Sequence, residues 1–404
     1  MSLHNIIAID SSDGKSTGTT VKPYPVESSK DPSVLSVKTY GELKYFYKVP
    51  FDIYKGDKNW VAPFWIEFKE FFNEKNPFWT HAKYKLFIVY KDQKIVGRIA
   101  AIIDDLYCKT QDEKIGFFGF FECIDDFDCA KSLFQSAERW LSSQGMILMR
   151  GPIDGRIDVG CGFLYEGFDL PVTLLSSYSA DYYISFCKRY NMKKSRDFFE
   201  YYIDLTKPLP DELQEKANQC SENGVMIRPF KRFRTNNELQ WWVTLFLETF
   251  EKHWGYVPVT EKEVKLRFGV KQLRWTVDSR LFLIAEYNGS PIAYLWATPE
   301  YNQIFRNMNG RLGFFEYARF FLNKKRINIG KLHIIGIKEN LRHKNIGSFL
   351  NYKVLEEMRK RSYLGAVVGS IDENNENAHS TIKLTGAGIY RKFRVFEKKI
   401  ETSI

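Results

Sequence analysis

The order of apolar and polar segments repeats once along this chain, and that repetition limits the fold more than any single motif does. Leu86–Ile103 (LFIVYKDQKIVGRIAAII) and Leu281–Thr298 (LFLIAEYNGSPIAYLWAT) each read as a β-branched strand, a short polar turn and a second apolar strand, which is the pattern of a hairpin. The same succession follows both. In the first half come a strand (Lys114–Ile124), an amphipathic helix (Ala130–Ser142), a glycine and a strand (Met146–Arg150). In the second come strand Lys331–Lys338, helix Ile346–Arg361, Gly365 and strand Ala366–Ile371. Each half closes on a helix and an aromatic strand, Arg196–Leu205 and Tyr390–Lys399. Unequal insertions shift the spacing: a glycine-rich stretch, Gly151–Ser179, in the first half and a helix-like one, Gly310–Lys325, in the second. The expected fold is α/β with a mixed sheet, formed twice.

At 404 residues, 44% hydrophobic and 16% aromatic, the chain can bury two cores. Residues 1–32 are rich in Ser, Thr, Gly, Asp and Pro and read as a flexible tail. A Pro-punctuated stretch, Thr206–Asp211, opens an expected linker over 207–224 that divides a first domain, 33–206, from a second, 225–404. No run approaches the roughly 20 apolar residues that span a bilayer, and the N-terminus lacks the order of a signal peptide. The expected location is the cytoplasm, without a membrane partner. The six cysteines, with no Cys-x-x-Cys pair, fit neither a zinc cage nor a disulfide scaffold and read as reduced thiols, so no metal is expected. The formal charge of +10 is a modest excess of 59 basic over 49 acidic residues. An anionic small molecule explains it as well as nucleic acid does. No basic stripe with interleaved aromatics and no recognisable module supports nucleic acid as a partner.

Chemistry concentrates in KLHIIGIKENLRHKNIGSFLNYKVLEEMRKR, from Lys331. An apolar strand ends at Ile337, a polar turn follows, and a helix starts beside Gly347 with Phe349, Leu350, Val354, Leu355 and Met358 at helical spacing. Such a strand–turn–helix aims unpaired backbone N–H groups and the positive end of a helix dipole at one point, which suits a phosphate or pyrophosphate. Gly347 permits close approach, Asn345 tolerates a left-handed conformation, and Arg342 and Lys344 add charge. The corresponding place in the first half, Cys123–Asp126, opens its helix with carboxylates, which would repel a pyrophosphate.

Arg342, Asn345 and Gly347, followed by Ser348, resemble the Gln/Arg-x-x-Gly-x-Gly/Ala coenzyme A motif of the GNAT N-acyltransferase superfamily, with Asn in place of the first Gly. The whole chain is similar to a subgroup of large GNAT-like proteins with two such halves, through Phe117–Glu122, Arg150–Pro152, Gly167–Asp169, Trp254–Pro258 and Tyr390–Lys398. The resemblance implies tandem GNAT-like folds, the first degenerate, and an enzyme, an N-acetyltransferase taking acetyl-CoA or another acyl-CoA as co-substrate. It implies that Ile335 and Ile337 bond the pantetheine through main-chain groups and that the amides of Asn345, Ile346, Gly347 and Ser348 hold the pyrophosphate. By position, Glu373, His333 and also Glu339 are candidate general bases, each competing with a scaffold role. The family's tyrosine acid falls on Ile382 when Gly386 is taken as the reference glycine, and Tyr390 lies in the final strand. His253, Trp254 and Tyr256 make a rigid aromatic corner suited to a substrate wall or to packing. The expected reaction is N-acylation of a small amine or amino-acid-like acceptor. The alternatives are a Fem-type transferase using aminoacyl-tRNA and a non-catalytic binding protein. An exposed edge strand would permit a homodimer.

Overall fold

The structure, a computed structural model, describes residues 32–157, 160–231, 235–250, 253–260, 262–263, 266, 277–342 and 344–401. The expected tail, apart from Pro32, lies outside the described residues. The described residues form thirteen strands: β1 (Ser33–Ser36), β2 (Ala82–Lys91), β3 (Lys94–Asp104), β4 (Ile115–Cys123), β5 (Leu148–Gly151), β6 (Phe163–Glu166), β7 (Lys193–Asp204), β8 (Val225–Pro229), β9 (Phe282–Tyr287), β10 (Ser290–Pro299), β11 (Ile329–Ile337), β12 (Gly365–Asp372) and β13 (Gly388–Lys399). The two hairpins are β2–β3 and β9–β10, and each turns on two residues with positive φ: Asp92 and Gln93 in the first, Asn288 and Gly289 in the second.

All strands join one mixed sheet, in the order β1-β2-β3-β4-β5-β13-β7-β12-β11-β10-β9-β8, with β6 also on β13. Only β4–β5 and β11–β12 are parallel. The repeat foreseen in the sequence is therefore present, and its closing strands are exchanged: β13 pairs with β5 of the first half, and β7 pairs with β12 of the second. They also pair with each other from Gly388↔Tyr202 to Glu397↔Lys193.

Each half packs its central helix on the sheet. Phe127–Ser143 buries Leu133, Phe134, Ala137 and Leu141, and Ile346–Lys360 buries Leu350, Val354, Leu355 and Met358. The stretch expected as a linker carries a helix, Asp211–Glu222, whose Leu213, Ala217 and Cys220 lie in the second core. Their i, i+4, i+7 spacing is helical, but the polar residues around them mask it.

Both parallel pairs part company midway. Pairing of β4 with β5 stops at Phe117↔Arg150, and that of β11 with β12 stops at Leu332↔Val368, although all four strands run on. In the first half the gap is filled by the chain itself. Ile153 donates its N–H to the Phe118 carbonyl at 2.8 Å, and the Phe120 N–H donates to Asp154 Oδ1 at 2.6 Å. A Cβ on Gly119 would lie 2.3 Å from the Ile153 carbonyl oxygen, so glycine is what lets the loop seal the gap.

Candidate functional site

In the second half the same gap opens into a cavity of about 1450 Å³. β11 lines it from Leu332 to Ile337 and β12 from Val368 to Asp372, while Phe117, Ile153, Ile157 and Leu175 of the first half supply an opposing apolar wall. Gly336 is needed there: a Cβ would stand 2.4 Å from the Tyr294 ring and 2.7 Å from Thr249 Oγ1 on the helix Thr235–Phe250.

The turn after β11 ends with Asn345 in the left-handed conformation, φ 57° and ψ 13°, directly before the helix Ile346–Lys360. The Asn345 carbonyl accepts the Phe349 N–H at 3.0 Å, but its side chain makes no cap bond. The first-turn amides of Ile346, Gly347 and Ser348 are thus left without a side-chain cap at the cavity wall. The equivalent helix of the first half is capped by its own carboxylate: Asp126 accepts from the N–H groups of Asp128 (2.9 Å) and Cys129 (3.2 Å) and pairs with Lys91. A negative charge already occupies the place where an anionic ligand would bind.

Of the residues singled out from the sequence, Ile335, Ile337, Arg342, Asn345, Ile346, Gly347, Ser348, His333, His253, Trp254 and Tyr256 all line this one cavity. Arg342 is oriented by donating to the Thr249 carbonyl at 3.3 Å. Lys344 is exposed and does not line the cavity. Glu373 does not line it either: its carboxylate accepts from Lys194 Nζ at 2.6 Å and the Asp197 N–H at 3.0 Å, bracing the end of β12 against β7. Ile382, in the family's tyrosine place, lines the cavity, while Tyr390 is turned away and donates to the Pro171 carbonyl at 3.1 Å.

His333 sits at a bulge where β10 pairs Trp296 with Ile334 but Ala297 with Leu332. Its Nε2 lies 2.8 Å from Thr298 Oγ1 and its ring 4.7 Å from that of Trp296. Burial, reinforced by the Lys331 ammonium, pushes its pKa well below the usual histidine value, so the imidazole is neutral. Burial and then Arg342 also lower the pKa of His253.

Sequence reasoning missed the groups that fix the His253–Pro258 wall. Arg150 and Arg196 both stack on Trp254, 5.5 and 5.4 Å from the ring centroid, and Arg196 reaches Asp372 at 3.5 Å. Arg156, from the glycine-rich insertion, donates to the Val257 carbonyl at 3.1 Å and meets Glu263 at 3.5 Å. Glu263 lies 3.5 Å from His81, whose other ring nitrogen is 2.9 Å from Asp104. These partners are contributed by separate segments, and no local pattern announces them. Glycine spacing alone gave Gly151–Ser179 no role, yet Gly155, Arg156, Ile157 and Gly160 line the cavity.

Residues 239–386 match the acetyltransferase (GNAT) family model. That stretch, in the second half of the chain, is where the likeness to the GNAT family lies. The chain is 28% identical over 385 residues to the bacterial ceramide synthase of Caulobacter vibrioides, covering 93% of this chain and 100% of that one. It is 29% identical over 365 residues to protein YghO of Escherichia coli K12, covering 89% and 93%. Among solved structures, a tandem GNAT protein from the clavulanic acid biosynthesis pathway superimposes with a TM-score of 0.54 at 9% identity, over 93% of this chain and all of that one. The tandem GNAT architecture is thus shared far beyond recognisable sequence. Among the described residues, no helix is long and apolar enough to cross a membrane, and no three His, Cys, Asp or Glu residues are grouped to hold a metal.

Proposed function

We propose that this protein transfers an acyl group from a coenzyme A thioester to a primary amine in the cleft between its halves. The observation that carries this reading is the uncapped N-terminus of the helix Ile346–Lys360, beside the parting of β11 from β12. The amides of Asn345 to Ser348 and the Arg342 guanidinium suit a pyrophosphate, and the main-chain groups of Ile335 and Ile337, on the open stretch of β11, suit the amides of a pantetheine arm. The transfer replaces a carbon–sulfur bond by a carbon–nitrogen bond, and one proton passes from the amine to the departing sulfur. Neutral His333 and His253, both on the cavity, are the groups suited to accept that proton. Glu373, tied to Lys194, suits scaffolding instead.

Of the possible acceptors, an amphiphilic amine is favoured over a small amino acid. The cavity, at about 1450 Å³, exceeds the roughly 300–1,000 Å³ usual for small-ligand sites, and part of its wall is apolar. The Caulobacter relative bears the name ceramide synthase, and a ceramide is the amide of a long-chain amino alcohol. Isothermal titration with acetyl-CoA and palmitoyl-CoA, followed by a thiol-release assay with sphinganine or an amino acid, tests both parts. Binding and thiol release with sphinganine are expected. Absence of binding to either thioester at millimolar concentration would overturn the reading; salt-sensitive tRNA binding in its place would favour the aminoacyl-tRNA alternative.

A further inference from the structure

The helix Phe314–Asn323 has no fully buried residue, and four of its apolar side chains are exposed. Phe314, Phe315, Phe321 and Leu322 are 69%, 82%, 44% and 79% exposed. At 100° per residue these four share one side of the helix with Ala318. Phe320 lies on the opposite side and packs on Tyr301 and Phe305, at centroid distances of 5.5 and 6.0 Å, which holds the helix on the body. Single exposed apolar residues are ordinary, but four on one face of a ten-residue helix form a patch.

The patch is bordered by positive charge. Arg311, Arg319, Lys324, Lys325 and Arg326 are all exposed, and Lys324 Nζ lies 4.7 Å from the Phe321 ring centroid. Glu316 is the one acid between Arg311 and Arg326, and its carboxylate turns back to accept the Gly313 N–H at 3.1 Å. Beside the helix lies a second, small cavity of about 140 Å³, lined by Arg319, Arg326, Asn323, Asn307 and Gln303 together with the apolar Ile304 and Ile327. Two guanidiniums and three amides around a space of this size suit one phosphate.

We propose that Phe314–Arg326 seats the protein on an anionic lipid surface, with the aromatic face in the acyl boundary, the basic residues among the headgroups and a lipid phosphate in the Arg319–Arg326 cavity. Ten helical residues reach about 15 Å, half the thickness of a bilayer core, so the helix lies on the membrane and does not cross it. A second copy of the chain is a poorer occupant, because a two-fold contact would set the same basic cluster against itself. The seat is joined to the candidate active site: Leu174 packs on the cluster that carries the helix, and its neighbours Leu175 and Ser176 line the large cavity.

Flotation of the full-length protein with vesicles of 30% phosphatidylglycerol in phosphatidylcholine, against pure phosphatidylcholine, tests the proposal. Binding to the anionic vesicles that weakens with salt is expected. It should fall roughly tenfold or more in F315S/L322S and, separately, in K324Q/K325Q/R326Q, because insertion and headgroup attraction contribute independently. Thermal unfolding and acetyl-CoA titration of both variants, whose changed side chains are exposed, check that the rest of the molecule is intact. The proposal is overturned if the wild-type protein ignores anionic vesicles or if both folded variants bind as it does. It is equally overturned if the patch instead mediates a dimer that F315S/L322S dissolves without change in flotation.

Discussion

Hydrogen bonds, prevailing over burial, drive the pKa values of His81 and Glu263 apart and so fasten the His253–Pro258 wall of the cavity to the first half. Hydrogen bonds to Asp104 and then Glu263 raise the His81 pKa from 6.5 to about 9. Burial opposes ionisation of Glu263, but its hydrogen bonds to His81 and Thr260 prevail and hold it at about 2. A raised histidine pKa stabilises the fold fully below its unfolded value and loses that contribution as pH climbs through the folded one. A lowered carboxylate pKa contributes above its unfolded value and loses that contribution as pH falls. The clamp is therefore strongest between about pH 4.5 and 6.5 and weakens through pH 9. His81→Gln is expected to lower the melting temperature at pH 6 by roughly 2–4 °C, equivalent to about 1 kcal/mol, with the gap to wild type closing above pH 9. Thermal unfolding across pH measures it; a gap constant with pH would mean that packing, not charge, is what the substitution removes.

At the scale of elements, two copies of one strand–turn–helix have diverged through the residue before the helix. Asp126 satisfies its helix internally, whereas Asn345, left-handed, leaves the first turn of its helix without a side-chain cap. Asn345→Asp, which brings a carboxylate to this helix N-terminus, is expected to weaken coenzyme A binding about tenfold or more without loss of thermal stability. Asn345→Gly, which accepts the same backbone conformation, should keep affinity within about a factor of two. Titration calorimetry of both variants decides whether the turn holds the pyrophosphate. This turn was legible in the sequence because its signals are local: apolar period, Gly347 and a basic flank. His333, His253 and Trp254 were legible as candidates for the same reason. Arg196, Asp372 and Arg156 were not, because their importance arises where separate segments meet. Glu373 misled, since a carboxylate just past a strand reads alike whether it faces a cavity or Lys194. The helix Asp211–Glu222 was hidden by prolines at its start, although Leu213, Ala217 and Cys220 carry its period.

On the scale of the whole molecule, the repeat visible in the sequence conceals its most consequential property, because strand partners are a matter of topology and not of local pattern. β7 leaves the first half to close the second half's sheet, and β13 returns to close the first. A buried ionic seam ties the exchanged strands: Lys331 of β11 donates to Glu200 of β7 at 2.5 Å, and Arg391 of β13 lies 3.9 Å from the same carboxylate. All three are almost wholly buried, so losing one of them while the others stayed in place would leave an uncompensated charge in the interior, at a cost of several kcal/mol. Neither half then has a complete sheet alone, and the cavity needs walls from both. Residues 1–206 and 207–404, expressed as separate chains, are each expected to be insoluble or unfolded, since each would expose an unpaired sheet edge. Expressed together they should copurify and recover coenzyme A binding, and the intact chain should melt in a single calorimetric transition. Two independent transitions, or a soluble second half that binds coenzyme A unaided, would show that the exchange is dispensable and that the active unit is smaller than the chain.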